Sequence, residues 1–215
     1  MVGEDRLTPK AAKVKAILDA PRPQTKRQVK SLLGMAGFYH KFIPNFAHVA
    51  APLSDLTKKG QPNKVKWTES QELAFESLKK ALASEPILKL PNIDDNFIVQ
   101  SDASEYAIGG VLLQYEGDMK LPIAYASRKL KAAEKNYSVI EKECLAIVWA
   151  IQKFSRYLYG KEFLLETDHK PLVHLNRAKV SNARLMRWAL LLQPYKFKIV
   201  AIKGSANSAD YLSRL

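Results

Sequence analysis

The stretch Phe97–Glu105, FIVQSDASE, decides the fold class. It opens with three apolar residues typical of a strand, delivers one carboxylate, Asp102, and then ends in small and polar residues that stop the run. Side chains alternate along a strand, so Asp102 shares a face with Ile98 and Gln100. The stretch therefore predicts a short strand with an acidic side chain at its carboxyl end.

The residues after this strand alternate between strand and helix patterns. Predicted strands span 97–101, 108–115, 122–127, 163–168 and 197–202, and predicted helices span 132–157, 171–176 and 182–192, with a last one from 207. Three successive strands followed by helix-connected strands predict an α/β domain, with a mixed sheet and helices on its faces. Prolines and polar residues over 86–96 mark its boundary, so we predict a helical domain at 1–86 and the α/β domain at 87–215.

The first 86 residues carry helix signals. Thr25 is placed to cap a helix, and Thr68 with Gln71 forms a capping-box pattern. Gly34 and Gly37 interrupt an apolar stripe, which predicts a helix packed closely against a neighbour. We therefore expect a small bundle of helices in front of the α/β domain.

Positive charge is distributed unevenly along the chain. Lys and Arg number 34 against 21 Asp and Glu, and residues 1–66 alone hold 13 basic and 4 acidic residues. Such an excess indicates a polyanionic partner, and nucleic acid is the most common one. Lys26, Arg27, Lys30 and Lys41 lie on or near one predicted helix, where they would contact phosphates; a solvated helix face is the alternative.

Cysteine usage and hydropathy exclude several classes of protein. The single cysteine, Cys144, rules out an internal disulfide and a cysteine-rich zinc site, and its apolar helical surroundings predict a buried thiol. No apolar run approaches the roughly 18 residues that a membrane span needs, and the first residues lack the apolar core of a signal peptide. We therefore expect an intracellular location and no membrane partner.

Four acidic residues are candidates for a metal site: Asp102, Glu143 in the long predicted helix, Asp168 after the fourth strand, and Asp210 in the last helix. If the two strands are neighbours, Asp102 and Asp168 lie side by side, and their charges repel unless a cation lies between them. Clustered carboxylates bind hard divalent cations such as Mg²⁺, and two such ions promote in-line displacement at phosphorus. The residues alone leave a second interpretation open, in which each acid is solvated or caps a helix.

Several separate segments, in order, resemble the reverse transcriptase of Ty3/gypsy-type LTR retrotransposons. Its ribonuclease H domain is matched by SDASEYAIGGVLLQ, PIAYASRKL, EKNYSVIEKECLAIVWAIQKFSRYLYG, TDHKPL, RLMRWALLLQ and NSADYLSRL, and its thumb and connecting region by KVKAILDAPRPQTKRQVKSLLGMAGFYHKFIPNFAHVAAPLSDLTKKG. The resemblance covers residues 7–215. It implies a ribonuclease H-like fold, a five-stranded mixed sheet flanked by helices, behind a small all-helical thumb-like domain.

The resemblance also implies an activity. Asp102, Glu143, Asp168 and Asp210 match the four acids that in this family bind two Mg²⁺ or Mn²⁺ ions and cut the RNA strand of an RNA–DNA hybrid. The implied partners are that hybrid and a polymerase domain or second subunit of the reverse transcriptase. The implied location is a cytoplasmic virus-like particle or the nucleus.

The sequence departs from the wider family in two respects. The Tyr-x-Asp-Asp motif of the polymerase palm is absent, so we expect no DNA synthesis by this chain alone. Residues 200–209 also lack the His that cellular ribonucleases H carry ahead of the last Asp, which argues against a His-assisted release of product.

Further candidates for nucleic-acid contact are Gly109, Gly110, Gln114, His169, Arg184 and Arg187. The glycines would let backbone N–H groups approach RNA, with a β-bulge as the alternative, and His169 would reach a phosphate or remain an ordinary surface residue. Both arginines stand near Trp188, an arrangement that suits a nucleic-acid backbone or, alternatively, a basic rim around a core tryptophan. A non-catalytic nucleic-acid-binding or assembly module is the alternative function; the basic front third favours it and the complete set of four acids opposes it.

Overall fold

The computed structural model describes residues 2–3, 6–7, 11–83, 88–168 and 183–203. The two largest apolar cores within this part of the chain lie among the helices and on a five-stranded sheet. Among the described residues, no helix combines the length and the apolar character that crossing a bilayer would require.

The first core belongs to the helical module, residues 11–83. Its helices are α1 (Ala11–Leu18), α2 (Lys26–Phe38), a short 3-10 helix (His40–Phe42), α3 (Phe46–Val49), α4 (Ala51–Asp55) and α5 (Glu69–Ala83). The Thr25 hydroxyl accepts from the backbone N–H of Gln28, whose side chain accepts in return from the N–H of Thr25, so the predicted start of α2 is confirmed. Gln71 likewise accepts from the N–H of Thr68 at 3.0 Å at the start of α5.

The helices pack through small and branched side chains, with Val29, Leu53 and Leu78 almost fully buried. The predicted packing role of the two α2 glycines is wrong, because a Cβ placed on Gly34 or Gly37 would meet nothing within 4 Å. These glycines lie toward open space, and the Val29 side of the helix forms the packed face instead.

A small three-stranded antiparallel sheet, which the sequence did not predict, lies beside the helical module. Its strands are β1 (Val2–Gly3), β2 (Arg6–Leu7) and β3 (Leu88–Lys89), in the order β1-β2-β3. Leu88 is buried in the helical core. The domain boundary at 86/87 stays a prediction, and residue 88 still packs with the helices.

The second core belongs to the sheet domain, residues 97–203. Its strands are β4 (Phe97–Ala103), β5 (Ala107–Glu116), β6 (Met119–Lys129), β7 (Glu162–Thr167) and β8 (Lys196–Ala201). The order is β6-β5-β4-β7-β8, antiparallel through β6, β5 and β4 and parallel through β4, β7 and β8. The predicted α/β class and five-stranded mixed sheet are therefore confirmed.

The single helix predicted over 132–157 is wrong, because three helices occupy this range: α6 (Ala132–Lys135), α7 (Val139–Lys153) and α8 (Ser155–Leu158). Ser138 caps α7 through a capping box with Glu141, which starts a new helix where the apolar spacing suggested a continuous one. The last described helix is α9 (Ala183–Leu192), which packs against α7.

α7 covers one face of the sheet and runs antiparallel to β4. Ala146 clusters with Ala103 at the end of β4, whereas the Tyr157 ring, just beyond α7, lies 6.0 Å from the Phe97 ring at its start. Gly110 permits the close approach, since a Cβ there would lie 2.8 Å from the Ala150 Cβ. Cys144 on α7 is buried, as predicted, and burial raises the pKa of its thiol to about 12.

The helical module docks on β6. The Ser127 hydroxyl accepts from the backbone N–H of Ala47 at 2.9 Å, next to Asn45, whose own side chain makes no capping hydrogen bond. The Lys129 ammonium donates to the Ala51 carbonyl and to the Asp55 carboxylate. Strand β6 therefore holds the first turns of α3 and α4.

Candidate active site

Strands β4 and β7 are neighbours inside the sheet, and two of the predicted acids lie at their carboxyl ends. The strands are parallel, with Phe97 opposite Phe163 and Gln100 opposite Glu166. Asp102 and Asp168 each follow this last pair by two residues, so a continued register would put them side by side at the usual strand spacing of about 4.8 Å. The Asp102 side chain is only 5% exposed, and Asp168 is partly exposed.

Glu143 lies at the same end of the sheet, on α7. Glu143 is 9% exposed. It lies two helical turns before Ala150, which packs over Gly110, and this puts it near the end of β4 that carries Ala103. Strand alternation puts Asp102 on the sheet face opposite α7. Glu143 and Asp102 therefore start from opposite sides of the sheet, both near the end of β4 that carries Ala103.

A buried polar row lies directly below the two aspartates. The Gln100 amide donates to the Glu166 carboxylate at 2.6 Å, and the Lys120 ammonium donates to the other carboxylate oxygen at 2.6 Å. Gln100 and Glu166 are 0% and 3% exposed, so the hydrogen bonds offset the cost of burying the carboxylate. This row links β4 to β7 two residues before Asp102 and Asp168.

Alternation along the two strands already placed Gln100 and Glu166 on the faces of the two aspartates. Nothing in the sequence indicated that Lys120, far away along the chain, completes the row. Its side chain reaches Glu166 of β7 from β6, three strands away in the sheet order.

The metal-ligand atoms at this end of the sheet suit a hard divalent cation, since Asp102, Asp168 and Glu143 offer only carboxylate oxygens. Gly109 faces Asp102 across the β4–β5 pair and adds no side chain beside it. Within the described ranges, however, no three His, Cys, Asp or Glu side chains lie close enough together to hold a metal ion. The predicted residues Asp210 and His169 lie outside the described residues.

Two predicted nucleic-acid contacts do not fit their positions. Gln114 is fully buried, and its amide donates to the carbonyls of Asn92 and Asp95 at 2.6 and 3.2 Å, which fixes the turn before β4. Gly110 lies under Ala150 of α7. Gln114 therefore holds a turn and Gly110 allows close packing, and neither residue can be reached from the surface.

The two arginines of α9 differ in their surroundings. Arg184 donates to Glu141 at 2.6 Å and stacks on Tyr137, with 3.9 Å from the guanidinium carbon to the ring centre. Arg187 is exposed. Trp188 is only partly buried and packs near Tyr137, so α9 presents a basic rim with aromatic groups beside it.

The four predicted cations of the helical module differ in their surroundings. Arg27 and Lys30 are exposed on α2, on the side that also carries Gly34 and the 68%-exposed Phe38. Lys26 instead donates to the Lys58 carbonyl at 2.6 Å and holds the following turn. Lys41 is partly buried, with its ammonium 5.2 Å from the Phe42 ring centre.

Comparison with protein families and curated sequences gives consistent matches. Residues 92–195 match the family model described as an RNase H-like domain found in reverse transcriptase. The whole chain is 44% identical over 216 residues to the retrovirus-related Pol polyprotein from transposon 297 of Drosophila melanogaster, and 35% identical over 220 residues to the transposon Tf2-3 polyprotein of Schizosaccharomyces pombe. It spans 20% and 16% of the length of these two relatives.

Solved structures with a similar fold come from foamy virus. The foamy viral protease-reverse transcriptase in complex with dsDNA superposes with a TM-score of 0.76 over 90% of this chain and 41% of its own, at 22% identity. The same protein in complex with RNA/DNA hybrid gives 0.72 over 96% of this chain and 28% of its own, also at 22% identity. At this level of identity the likeness supports the fold.

Proposed function

Residues 92–195 form an RNase H-like domain of the reverse-transcriptase type, in a relative of Ty3/gypsy-type retrotransposon Pol polyproteins, and on this premise we propose that the chain is a metal-dependent endoribonuclease. Its proposed substrate is the RNA strand of an RNA–DNA hybrid. The observation that supports the proposal is the parallel β4–β7 pair, whose register runs to Gln100 opposite Glu166, two residues before Asp102 and Asp168.

Asp102, Glu143 and Asp168, with Asp210 as the fourth acid, would hold two Mg²⁺ or Mn²⁺ ions. Such ions, when bound, activate a water and stabilise the leaving oxygen at phosphorus. The chain itself contributes rigidity, because the Gln100–Glu166–Lys120 row fixes the two strands that carry Asp102 and Asp168. A preorganised site of this kind keeps its geometry without reorganising during the reaction.

The exposed cations would hold the duplex without reading its sequence. Arg27 and Lys30 on α2 and Arg187 on α9 are exposed and offer positive groups for phosphate oxygens, and the partly buried Lys41 lies just beyond α2. The foamy viral neighbours are complexes with RNA/DNA hybrid and with dsDNA, which supports a duplex as the ligand. A polymerase domain would belong to a longer parent protein, as in the relatives that this chain spans only in part.

The direct test is incubation of the chain with an end-labelled RNA–DNA hybrid, with and without Mg²⁺. We expect RNA fragments only with the metal, and no cutting of the DNA strand or of duplex DNA. Intact RNA at saturating protein and millimolar Mg²⁺ would refute the proposal.

The second candidate is a nucleic-acid-binding module without catalysis. It is favoured by the absence of a three-residue metal group among the described residues and by the basic front third of the chain. It predicts binding that weakens steeply with salt while the RNA stays intact. The cleavage assay therefore separates the two candidates.

A further inference from the structure

A cleft of about 450 Å³ lies between the helical module and the sheet domain, and neither module forms it alone. Its walls come from α3 and α4 on one side and from the turn before β5, the end of β6 and α6 on the other. We call it the interdomain cleft and define it by His48, Asp55, Lys58, Tyr106, Lys129 and Lys135. The volume is in the range of small-ligand sites in proteins.

The interdomain cleft is positively charged. Three ammonium groups line it against one carboxylate, Asp55, which binds Lys129 at 2.8 Å and Lys58 at 3.1 Å. Burial raises the pKa of Asp55, but the hydrogen bonds and charges of the two lysines outweigh it and lower the pKa overall. Asp55 is thus ionised at neutral pH, and the cleft still carries a net charge of +2.

One cation in the interdomain cleft is left for a ligand. Lys135 forms no ion pair with any described residue, and its ammonium lies 6.0 Å from the centre of the Tyr106 ring. The His48 ring lines the cleft 6.5 Å from the exposed Tyr106 ring, but its Nδ1 atom is shielded from solvent.

The geometry points to a binding site for a phosphate group in the interdomain cleft, with Lys135 and Lys129 as the cations. A tetrahedral oxyanion suits this pair, because ammonium groups bind phosphate as point charges. The phosphate comes either from the backbone of a bound nucleic acid or from a free nucleotide.

The position of the cleft favours the backbone of the duplex that the proposed active site would cut, so this assignment of the source rests on the proposed function. Lys129 is two strands from Asp102 and two residues along its strand, a Cα separation of roughly 12 Å at standard spacings. A helical turn of duplex spans about 34 Å. A single duplex is therefore long enough to lie across the Asp102 end of the sheet and also reach the interdomain cleft.

The test compares Lys135→Ala with Lys153→Ala in the full chain. Lys153 is also an exposed helical lysine, but it stands at the far end of α7. Hybrid affinity is measured by fluorescence anisotropy without divalent metal, over a range of salt concentrations. We expect Lys135→Ala to weaken binding roughly five- to tenfold and to reduce the salt slope by about 1, with Lys153→Ala unchanged.

A second arm uses inorganic phosphate and a nucleoside monophosphate with the same two variants. Ligand binding is followed by NMR shifts, and thermal unfolding confirms that each variant is folded. Phosphate binding that depends on Lys135, with hybrid affinity unchanged, would support the site and assign it to free nucleotides. Hybrid and phosphate binding that both ignore Lys135 would overturn the site.

The anisotropy arm needs no catalysis. A chain that never cuts RNA can still show the dependence on Lys135, and a chain that cuts RNA can lack it. Failure of the phosphate site and failure of the proposed nuclease activity are therefore distinguishable.

Discussion

The helical module and the sheet domain use charged groups in different ways. In the helical module the ion pairs are at the surface, as between Arg22 and Glu72, and Arg27 and Lys30 face solvent on α2. In the sheet domain Asp102 and Glu166 are buried beside fixed neighbours. Exposed charges contribute little individually and act through a long-range field that salt screens, whereas a buried charge depends on the exact position of its partner. Single substitutions should therefore be mild in the first region and severe in the second.

The largest expected effect is that of Asp102→Asn on cleavage. We expect the single-turnover rate to fall about a thousandfold or more, because a lost metal ligand removes several kcal/mol of transition-state stabilisation. Hybrid affinity should stay unchanged, since the binding cations are elsewhere. Asp118→Asn, at an exposed turn, is the matched control and should cut at the normal rate. Full activity of Asp102→Asn would remove this residue from the site.

The next effect concerns the stability of the buried row. Glu166→Ala leaves Gln100 and Lys120 without their shared carboxylate and should lower the free energy of unfolding by about 2–4 kcal/mol, since Lys120 keeps some access to water. Denaturant unfolding measures the change. Glu162→Ala, exposed at the start of the same strand, should cost less than about 0.5 kcal/mol. Equal losses for the two variants would show that the row does not stabilise the sheet.

The same substitution should have opposite signs in the two regions. Gly110→Ala forces a Cβ to within 2.8 Å of the Ala150 Cβ and should destabilise the chain by about 1–3 kcal/mol. Gly34→Ala enters open space on α2 and should stabilise it by up to about 1 kcal/mol, because alanine favours a helix. Thermal unfolding of both variants checks the pair. A stabilising Gly110→Ala would contradict the close contact between α7 and β5.

The mildest expected effect is that of charge removal on α2. The double variant Arg27→Ala with Lys30→Ala should weaken hybrid binding several-fold at low salt and reduce the salt slope by about 2. The cleavage rate at saturating protein should not change. Lys80→Ala, exposed on α5, serves as the control. If the double variant matches this control in affinity and salt slope, α2 does not lie on the duplex path.

Local signals made much of the fold predictable. The capping box at Thr25, the Thr68–Gln71 pair and the strand at FIVQSDASE depend on neighbours within a few residues. The structure contains the full box at Thr25, the bond from the Thr68 N–H to the Gln71 side chain, and the strand. The apolar positions that predicted the helix over 132–157 begin only at Ile140, so they did not test the residues before it. Ser138 and Glu141 have the spacing of a capping box, and this local signal for a new helix start was missed.

The site was predictable only in part, because its contacts cross the chain. The strands that lead to Asp102 and Asp168 are parallel neighbours, as the prediction required, and the helical spacing of Glu143 accounts for its burial. Lys120, which completes the buried row, and Gln114, which holds a turn, take roles that depend on tertiary contacts between strands and loops. The roles of Asp210 and His169 remain predictions.

The Ser127 hydroxyl that accepts from the Ala47 N–H has a practical consequence. The N–H at the amino end of α3 is bound by a side chain 80 positions later in the chain, so α3 lacks this hydrogen bond until the β6 strand has formed. A gene cut between residues 86 and 87 would separate donor from acceptor and leave an apolar surface uncovered on each half. Such halves would be prone to aggregate, and the two parts are best produced as one polypeptide.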